Sequence, residues 1–399
     1  MASYKCIFFI CSLYAILCVP WIYKAVLPFL SSDSFVKPRS VWKNFDLDIR
    51  SKNSAISDQT VVQPTSDKDL FNVIFIGYGK FSHHRFPEHC DCNGDPYYVT
   101  NDTRGIKDAD AVIFTIGARH GMTLESWRRY HRERSPSQLW VLGTHESPLT
   151  CVAVRPPDDM KMVYNLSFTY HSRSDFPTPY GFYTKYATQQ NGSVNWYSKK
   201  SKLIRWSSSH CPLSPRHYKR RDFAYALKEH INITMYGTCG DGRFDGEEYT
   251  EAVTEHKFSL ILENSCCAEY ITEKFWDSLL KYNQVPVVYG ATREEYDRIA
   301  PPKSYIFMQD FSSLEELAGF ITKVGSSEIE YNEYHYWRRL GYVTKRRNPE
   351  DRIHHCNSIC RMSDTVKQAR AGKKFQYDEM SDVFFGGCRD CQKELDFFY

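Results

Sequence analysis

Residues 258–291 read FSLILENSCCAEYITEKFWDSLLKYNQVPVVYGA, and their pattern decides the fold class. An apolar run, Phe258–Leu262, gives way to a polar turn, Glu263–Ser265. A helix is predicted from about Tyr270 to Tyr282, followed by a strand of the buried type, Val285–Tyr289, that closes on Gly290. Within the helix Phe275, Trp276, Leu279 and Leu280 recur on one face, while Lys274, Asp277 and Lys281 share the other. Strand, helix and strand in this order make a β-α-β unit with parallel strands covered on both faces. Ligands of such units sit beyond the carboxyl ends of the strands, near helix N-termini. Tyr270, Glu273 and Lys274 fall at that spot, which suits a phosphorylated or sugar-bearing ligand.

Outward from this unit, short apolar runs recur at Val73–Ile76, Ala111–Ile116, Leu139–Leu142, Ile231–Met235 and Tyr305–Met308. Helix-like segments separate the later ones, so the chain reads as α/β with parallel sheets. The roughly 330 residues from Leu70 onward suffice for two domains, with a boundary near residue 200. The stretch from Arg155 to Lys202 carries Pro and Gly clusters with mixed polarity and reads as loops of the first domain.

The amino-terminal end points to a membrane. Residues 1–5 form a short tail, and Cys6–Tyr23 contains no charge. Eighteen helical residues rise roughly 27 Å, close to the hydrocarbon thickness. Together with Ala25–Leu30 this makes a candidate transmembrane signal anchor over residues 6–30. Bulky Trp21, Ile22 and Tyr23 suit an interfacial anchor better than the small residues of a cleavage site, the competing reading. Residues 31–69, rich in Ser, Asp, Lys and Pro, read as a flexible stem. The net charge of +3 gives no reason to expect a nucleic acid or other polyanion as partner.

Four sequons follow the anchor, at Asn101, Asn165, Asn191 and Asn232, as expected of a luminal or secreted domain. Eleven of the fourteen cysteines also lie beyond it, where thiols would be oxidised. The pairs Cys90/Cys92, Cys356/Cys360 and Cys388/Cys391 therefore read as disulfide partners in preference to zinc ligands; no two pairs have zinc-ribbon spacing. An odd count leaves at least one thiol free or paired outside the chain.

Several chemical candidates have bland readings. Gly77-Tyr-Gly79-Lys80 lacks the full phosphate-loop spacing and reads as a turn. Asp108-Ala-Asp110 precedes a strand instead of ending one, so it reads as a solvated turn and not a metal site. His83, His84 and His89 have no ligand-like spacing, and Arg128–Arg134 and Lys345–Arg347 read as solvated basic faces. Glu146, in Thr144-His-Glu-Ser-Pro148, stands out because it follows a strand and sits where a parallel sheet presents its ligand. Asn165-Leu-Ser-Phe-Thr-Tyr170 and Asp175-Phe-Pro-Thr-Pro-Tyr180-Gly181 form a polar, aromatic stretch able to line a sugar site.

Taken in order, these motifs resemble those of the Golgi-type α1,3-fucosyltransferases, glycosyltransferase family 10. The likeness rests on Leu262-Glu-Asn-Ser265, Glu269-Tyr-Ile-Thr-Glu-Lys-Phe-Trp276 and Val285-Pro-Val-Val-Tyr-Gly290. It is joined by Glu146-Ser-Pro148, by Asn165–Tyr170 with Arg173-Ser-Asp175 and Thr178-Pro-Tyr-Gly181, and by Ser209-His-Cys211.

The resemblance implies a GT-B architecture, two Rossmann-like domains facing across a cleft: residues 70–200 on the acceptor side and 201–360 binding GDP-fucose. Residues 361–399 are then a C-terminal extension. It implies an inverting transfer to the 3-hydroxyl of GlcNAc in a glycoprotein or glycolipid glycan, with Glu146 as the base. Lys274 matches a diphosphate ligand; Tyr270 and Glu273 match residues contacting the nucleotide and its sugars, and Asn264 and Tyr170 fall in the same donor set. Arg220 or Arg216 should complete the phosphate clamp, whose fixed positive charge makes a metal unnecessary, manganese acting at most as a stimulant. The family's layout implies a single-pass type II Golgi membrane protein with its catalytic part in the lumen. It also implies bridges between Cys90/Cys92 and Cys356/Cys360. Departures are Glu269 where Asp is common, and Cys266-Cys267 in the signature loop, with Cys211 or Cys239 as candidate partners. Lewis-type antennae and the N-glycan core both remain open as acceptors. A transferase for another nucleotide sugar, or an inactive glycan-binding relative, is the alternative.

Overall fold

The computed structural model describes residues 70–77, 87–115, 122–160, 162–209, 219–240, 246–345, 356–377 and 379–396. The expected anchor and stem, Gly79, Lys80, His83, His84, Cys211 and Arg216 lie outside the described residues. No described helix is long and apolar enough to cross a membrane.

Two sheets carry the molecule, the second wholly parallel and the first parallel but for its edge strand. The first is built from β1 (Phe71–Ile76), β2 (Glu88–Cys92), β3 (Asp95–Thr100), β4 (Ala111–Phe114), β5 (Leu139–Thr144) and β6 (Leu166–Thr169), in the order β2-β3-β1-β4-β5-β6. Chain order continues with β7 (Gly181–Lys185), β8 (Lys202–Ser207), β9 (Ile233–Tyr236), β10 (His256–Leu262), β11 (Cys266–Cys267), β12 (Val285–Tyr289), β13 (Ile306–Phe307), β14 (Gly341–Lys345) and β15 (Cys388–Arg389). The second sheet runs β13-β12-β10-β8-β9, every pair parallel. Counted within its own sheet, each parallel set has the order 2-1-3-4-5. The strand order therefore reverses between β1 and β4 in one sheet and between β8 and β10 in the other, opening a crevice at the carboxyl ends there.

The β-α-β reading of residues 258–291 corresponds to β10 and β12, paired in parallel from Phe258↔Val285 to Leu262↔Tyr289. The helix between them is shorter than periodicity suggests, Glu273–Leu280, because Thr272 caps it and its side chain accepts the Lys274 N–H. Pro286 is tolerated inside this central strand because β13 pairs only with Val287 and Val288.

Several elements escape periodicity. β6 lies in the stretch read as loops: Ser167 and Thr169 are fully buried there, their polarity satisfied by Asp175 and Ser174. β8, between β10 and the edge strand β9 in the second sheet, is disguised by Arg205 in its middle. The antiparallel β2–β3 hairpin was signalled by Asn93-Gly94, both in the left-handed region (φ 60° and 93°).

The chain returns to its first sheet after completing the second. Ile359, Met362, Val366 and Ala369 share a core with Val73, Tyr97 and Val99, and disulfides Cys90–Cys356 and Cys92–Cys360 fasten them. Asp110, expected to be solvated, instead accepts from the Arg370 guanidinium and the Asn72 N–H. Met380 and Phe384 then enter the core on the other face of that sheet, and Cys391 and Leu395 enter the core of the second. Residues beyond 360 are thus woven through both sheets. Cys266 and Cys267 bond to Cys391 and Cys388, not to Cys211 or Cys239 as expected. Among the described residues Cys151 is the free cysteine.

Candidate active site

The carboxyl end of β10 leads into Glu263, whose side chain is fully buried. Its carboxylate accepts from the Thr272 N–H at 2.8 Å, from the Thr272 hydroxyl and from Lys274 Nζ at 3.3 Å. One buried carboxylate thus ties the strand end to the start of helix Glu273–Leu280. Burial, the dominant influence, lifts the Glu263 carboxyl above its ordinary value against the pull of Lys274. Burial would by itself lower the Lys274 ammonium, yet Glu263 and Glu273 hold it above the ordinary lysine value. Gly290 passes so close behind that a Cβ there would lie 2.9 Å from that of Glu263, at a φ of 150°.

Lys274, Glu273, Asn264 and Arg220 line one cleft of about 470 Å³ with Ser207–Ser209 at the end of β8. The cleft opens at the order reversal between β8 and β10. Arg220 begins helix Arg220–Lys228, is buried, and donates to the Leu262 carbonyl at 3.2 Å. Arg205 and Tyr282 line the same cleft, though spacing alone did not single them out. Burial lowers the Arg205 guanidinium below its ordinary value.

Glu146 approaches from the other sheet. It follows β5, its N–H donates to Thr144 Oγ1 at 3.0 Å, and the Cys151 thiol donates to its carbonyl. The Tyr270 hydroxyl donates to Glu146 Oε2 at 3.1 Å. Burial pushes that phenol well above its ordinary value, so it keeps its proton and serves as a donor. The next residue, Ser147, is in hydrogen-bond contact with Ser265 at 2.7 Å. The Glu146 turn and the Asn264 turn are therefore in direct contact. Tyr170 is buried against Tyr270, Tyr180 and Phe384 and does not appear in the cleft lining; it backs Tyr270 from behind. A Cβ on Gly181 would lie 2.5 Å from the Trp276 ring, which explains the glycine after Tyr180.

A clasp that spacing did not reveal holds Tyr270 in place. Glu269 sits in the left-handed region (φ 56°) and accepts from the Ser172 N–H at 2.6 Å, from the Ser172 hydroxyl and from Arg298. Its own N–H donates to Glu295, which also completes the capping box of helix Arg293–Ile299. The signal was the Glu itself, one methylene longer than Asp and able to reach Ser172.

Asn101, Asn191 and Asn232 are exposed. Asn165 is half-buried, its amide oxygen accepting from the Trp140 N–H and its nitrogen donating to the Phe375 carbonyl. Among the described residues Glu88, Cys90 and Cys356 lie close enough for a metal, but both sulfurs are spent in their disulfide.

Comparison with known proteins places the chain among relatives. Residues 71–181 match the family description "Fucosyltransferase, N-terminal", and residues 197–383 match "Glycosyltransferase family 10 (fucosyltransferase) C-term". The human 4-galactosyl-N-acetylglucosaminide 3-alpha-L-fucosyltransferase FUT6 is 31% identical over 252 residues, 63% of this chain and 66% of the relative. The Bos taurus 3-galactosyl-N-acetylglucosaminide 4-alpha-L-fucosyltransferase FUT3 is 32% identical over 208 residues, 51% of this chain and 54% of the relative. The chain thus spans no more than about two thirds of the length of these relatives. The crystal structure of an alpha1,3-fucosyltransferase with GDP-fucose aligns over 80% of this chain and 96% of its own, with a TM-score of 0.48 and 14% identity. The two family matches cover both sheets in chain order, and the protein belongs to glycosyltransferase family 10, the fucosyltransferases.

Proposed function

We propose that this protein is an inverting α1,3-fucosyltransferase of GT-B type. It moves L-fucose from GDP-fucose to the 3-hydroxyl of a GlcNAc residue in a glycoprotein or glycolipid glycan. The observation that carries this reading is the meeting of two turns: Glu146 beside the Ser147–Ser265 contact, and Asn264, Lys274 and Arg220 around one cleft. The family and the names of its relatives support the sugar and the linkage.

In this mechanism the acceptor oxygen attacks the anomeric carbon as the bond from that carbon to the β-phosphate oxygen breaks. Glu146 takes the acceptor proton, and GDP leaves with the bonding pair. The Tyr270 hydrogen bond orients the carboxylate that receives the proton. Lys274 and Arg220, with the N-terminus of helix Glu273–Leu280, answer the charge that grows on the diphosphate. Lys274 is held in reserve by Glu263 and Glu273, so its ammonium is in place before the donor arrives. These fixed charges do the work a divalent metal does elsewhere; manganese is then a stimulant at most, checked by assaying with a chelator. The charge-free segment ahead of the stem supports a single-pass type II protein of the Golgi membrane with its site in the lumen.

The test incubates the protein with GDP-fucose, other nucleotide sugars and a panel of glycans with Lewis-type antennae or N-glycan cores. Transfer of fucose to the 3-position of GlcNAc is expected, and the panel identifies the acceptor. No transfer from GDP-fucose to any GlcNAc-containing glycan would sink the proposal.

A further inference from the structure

The donor cleft contains a cation that the phosphate clamp does not use. Arg205 lies on β8 two residues before Ser207, about 7 Å back from the carboxyl end of the strand. It is 5% exposed and lines the cleft with Tyr249 and Tyr282. Its position is fixed: Nε donates to Gln284 Oε1 at 3.1 Å, one terminal nitrogen donates to Ser207 Oγ at 2.9 Å, and the fork lies 5.0 Å from the Tyr282 ring centroid.

Arg205 forms no ion pair with a carboxylate among the described residues. Asp277, the acid beside it on the cleft wall, is instead paired with Lys345 at 2.7 Å. Burying a guanidinium without a counter-charge is expensive, and such a group is retained where a ligand supplies the acceptors. A guanidinium also carries more N–H donors than these two contacts use.

We propose that Arg205 reads the base of the donor nucleotide and selects guanine. This rests on the reading of the cleft as a nucleotide-sugar site. With the diphosphate held by Arg220 and Lys274 at the strand ends, the nucleoside extends back along β8 toward Tyr249 and Tyr282. Guanine presents two adjacent acceptors, O6 and N7, which an arginine fork can meet at once. Adenine places an amino group where O6 would be, so donor faces donor. Arg205 therefore sets the donor class by its base, independently of the sugar.

The experiment measures binding of GDP, 7-deaza-GDP and ADP to the intact wild-type chain and to Arg205→Gln by calorimetry. Wild-type protein should bind GDP at least about tenfold more tightly than 7-deaza-GDP and about a hundredfold more tightly than ADP, the range a lost bidentate base contact gives. In Arg205→Gln the GDP-to-ADP ratio should collapse to a few-fold, chiefly through weaker GDP binding. Equal binding of GDP and 7-deaza-GDP by wild-type protein, or an unchanged GDP-to-ADP ratio in the variant, overturns the assignment. The 7-deaza comparison needs no variant and decides the matter even if Arg205→Gln does not fold. Failure of wild-type protein to bind GDP at all would instead overturn the donor reading, and this one with it.

Discussion

Glu263 and Lys274 divide two kinds of work between neighbouring side chains. Glu263 is fully buried and satisfies Thr272, so Glu263→Ala should cost at least about 2 kcal/mol in denaturant unfolding, because the Thr272 N–H loses its acceptor inside the protein. Lys274→Ala should also destabilise the protein in the same experiment, because it leaves the fully buried Glu263 carboxylate without the ammonium that faces it. Lys274→Ala should in addition raise the KM for the donor by one to two orders of magnitude. Glu146→Gln should lower kcat by about a hundredfold to ten-thousandfold while leaving GDP affinity near normal; retained turnover would remove Glu146 as the base. At this scale the sequence was readable where a motif carried the residue, as with Glu146 and Lys274. Glu269 and Arg205 were not, because their roles depend on partners far away in the chain: Ser172 for one, Gln284 for the other.

β11, β12 and the segment from Gly387 to Leu395 belong together as elements. β15 pairs with β11, the Ala268 N–H donates to the Gly387 carbonyl, and Arg389 donates to the Gly290 carbonyl. Gln392 accepts the Lys219 N–H at 2.9 Å, serving the start of the helix that carries Arg220, where Lys219 offers no side-chain cap. The segment thus touches the turns after β11 and β12 and the start of the Arg220 helix, and it lies beyond the residues that match the family. Ending the chain after residue 386 should weaken GDP binding at least tenfold; unchanged GDP binding in that variant would reduce the segment to a surface decoration. Strands with unbroken apolar runs, such as β10 and β12, were evident from composition. This segment was not, since two cysteines and a few polar residues carry no periodicity, and its place is set by disulfides.

At the scale of the whole molecule, stability should depend on acid through buried imidazoles. His256, the first residue of β10, is fully buried, bonded to Thr234 of β9 and to the Val253 carbonyl, and burial lowers it to about 4. Below its ordinary value of 6.5 the unfolded chain takes a proton that the folded chain refuses, so stability is present above pH 6.5 and drains away as pH falls toward 4. By pH 5 this one residue should remove about 2 kcal/mol. Unfolding curves at pH 7 and pH 5 should differ less in His256→Gln than in wild-type protein by that amount; an equal difference would assign the acid sensitivity elsewhere. The two-sheet plan was legible in the alternation of strands and helices. The return of the chain to its first sheet was signalled by the family resemblance through the Cys90/Cys92 and Cys356/Cys360 bridges, not by periodicity, because Ile359, Met362 and Val366 form too short an apolar pattern to name their partner.

That return also has a consequence in time. Cys266 and Cys267 must wait 125 and 121 residues for their partners, and Cys90 and Cys92 wait 266 and 268. At the pace of synthesis the first wait lasts about 6–25 s and the second roughly 13–54 s. During that interval two adjacent thiols stand open beside a growing chain that already contains other cysteines. Making this protein is then a problem of keeping early sulfurs from marrying the wrong neighbours, and yield should track the supply of disulfide isomerase more closely than the supply of oxidant.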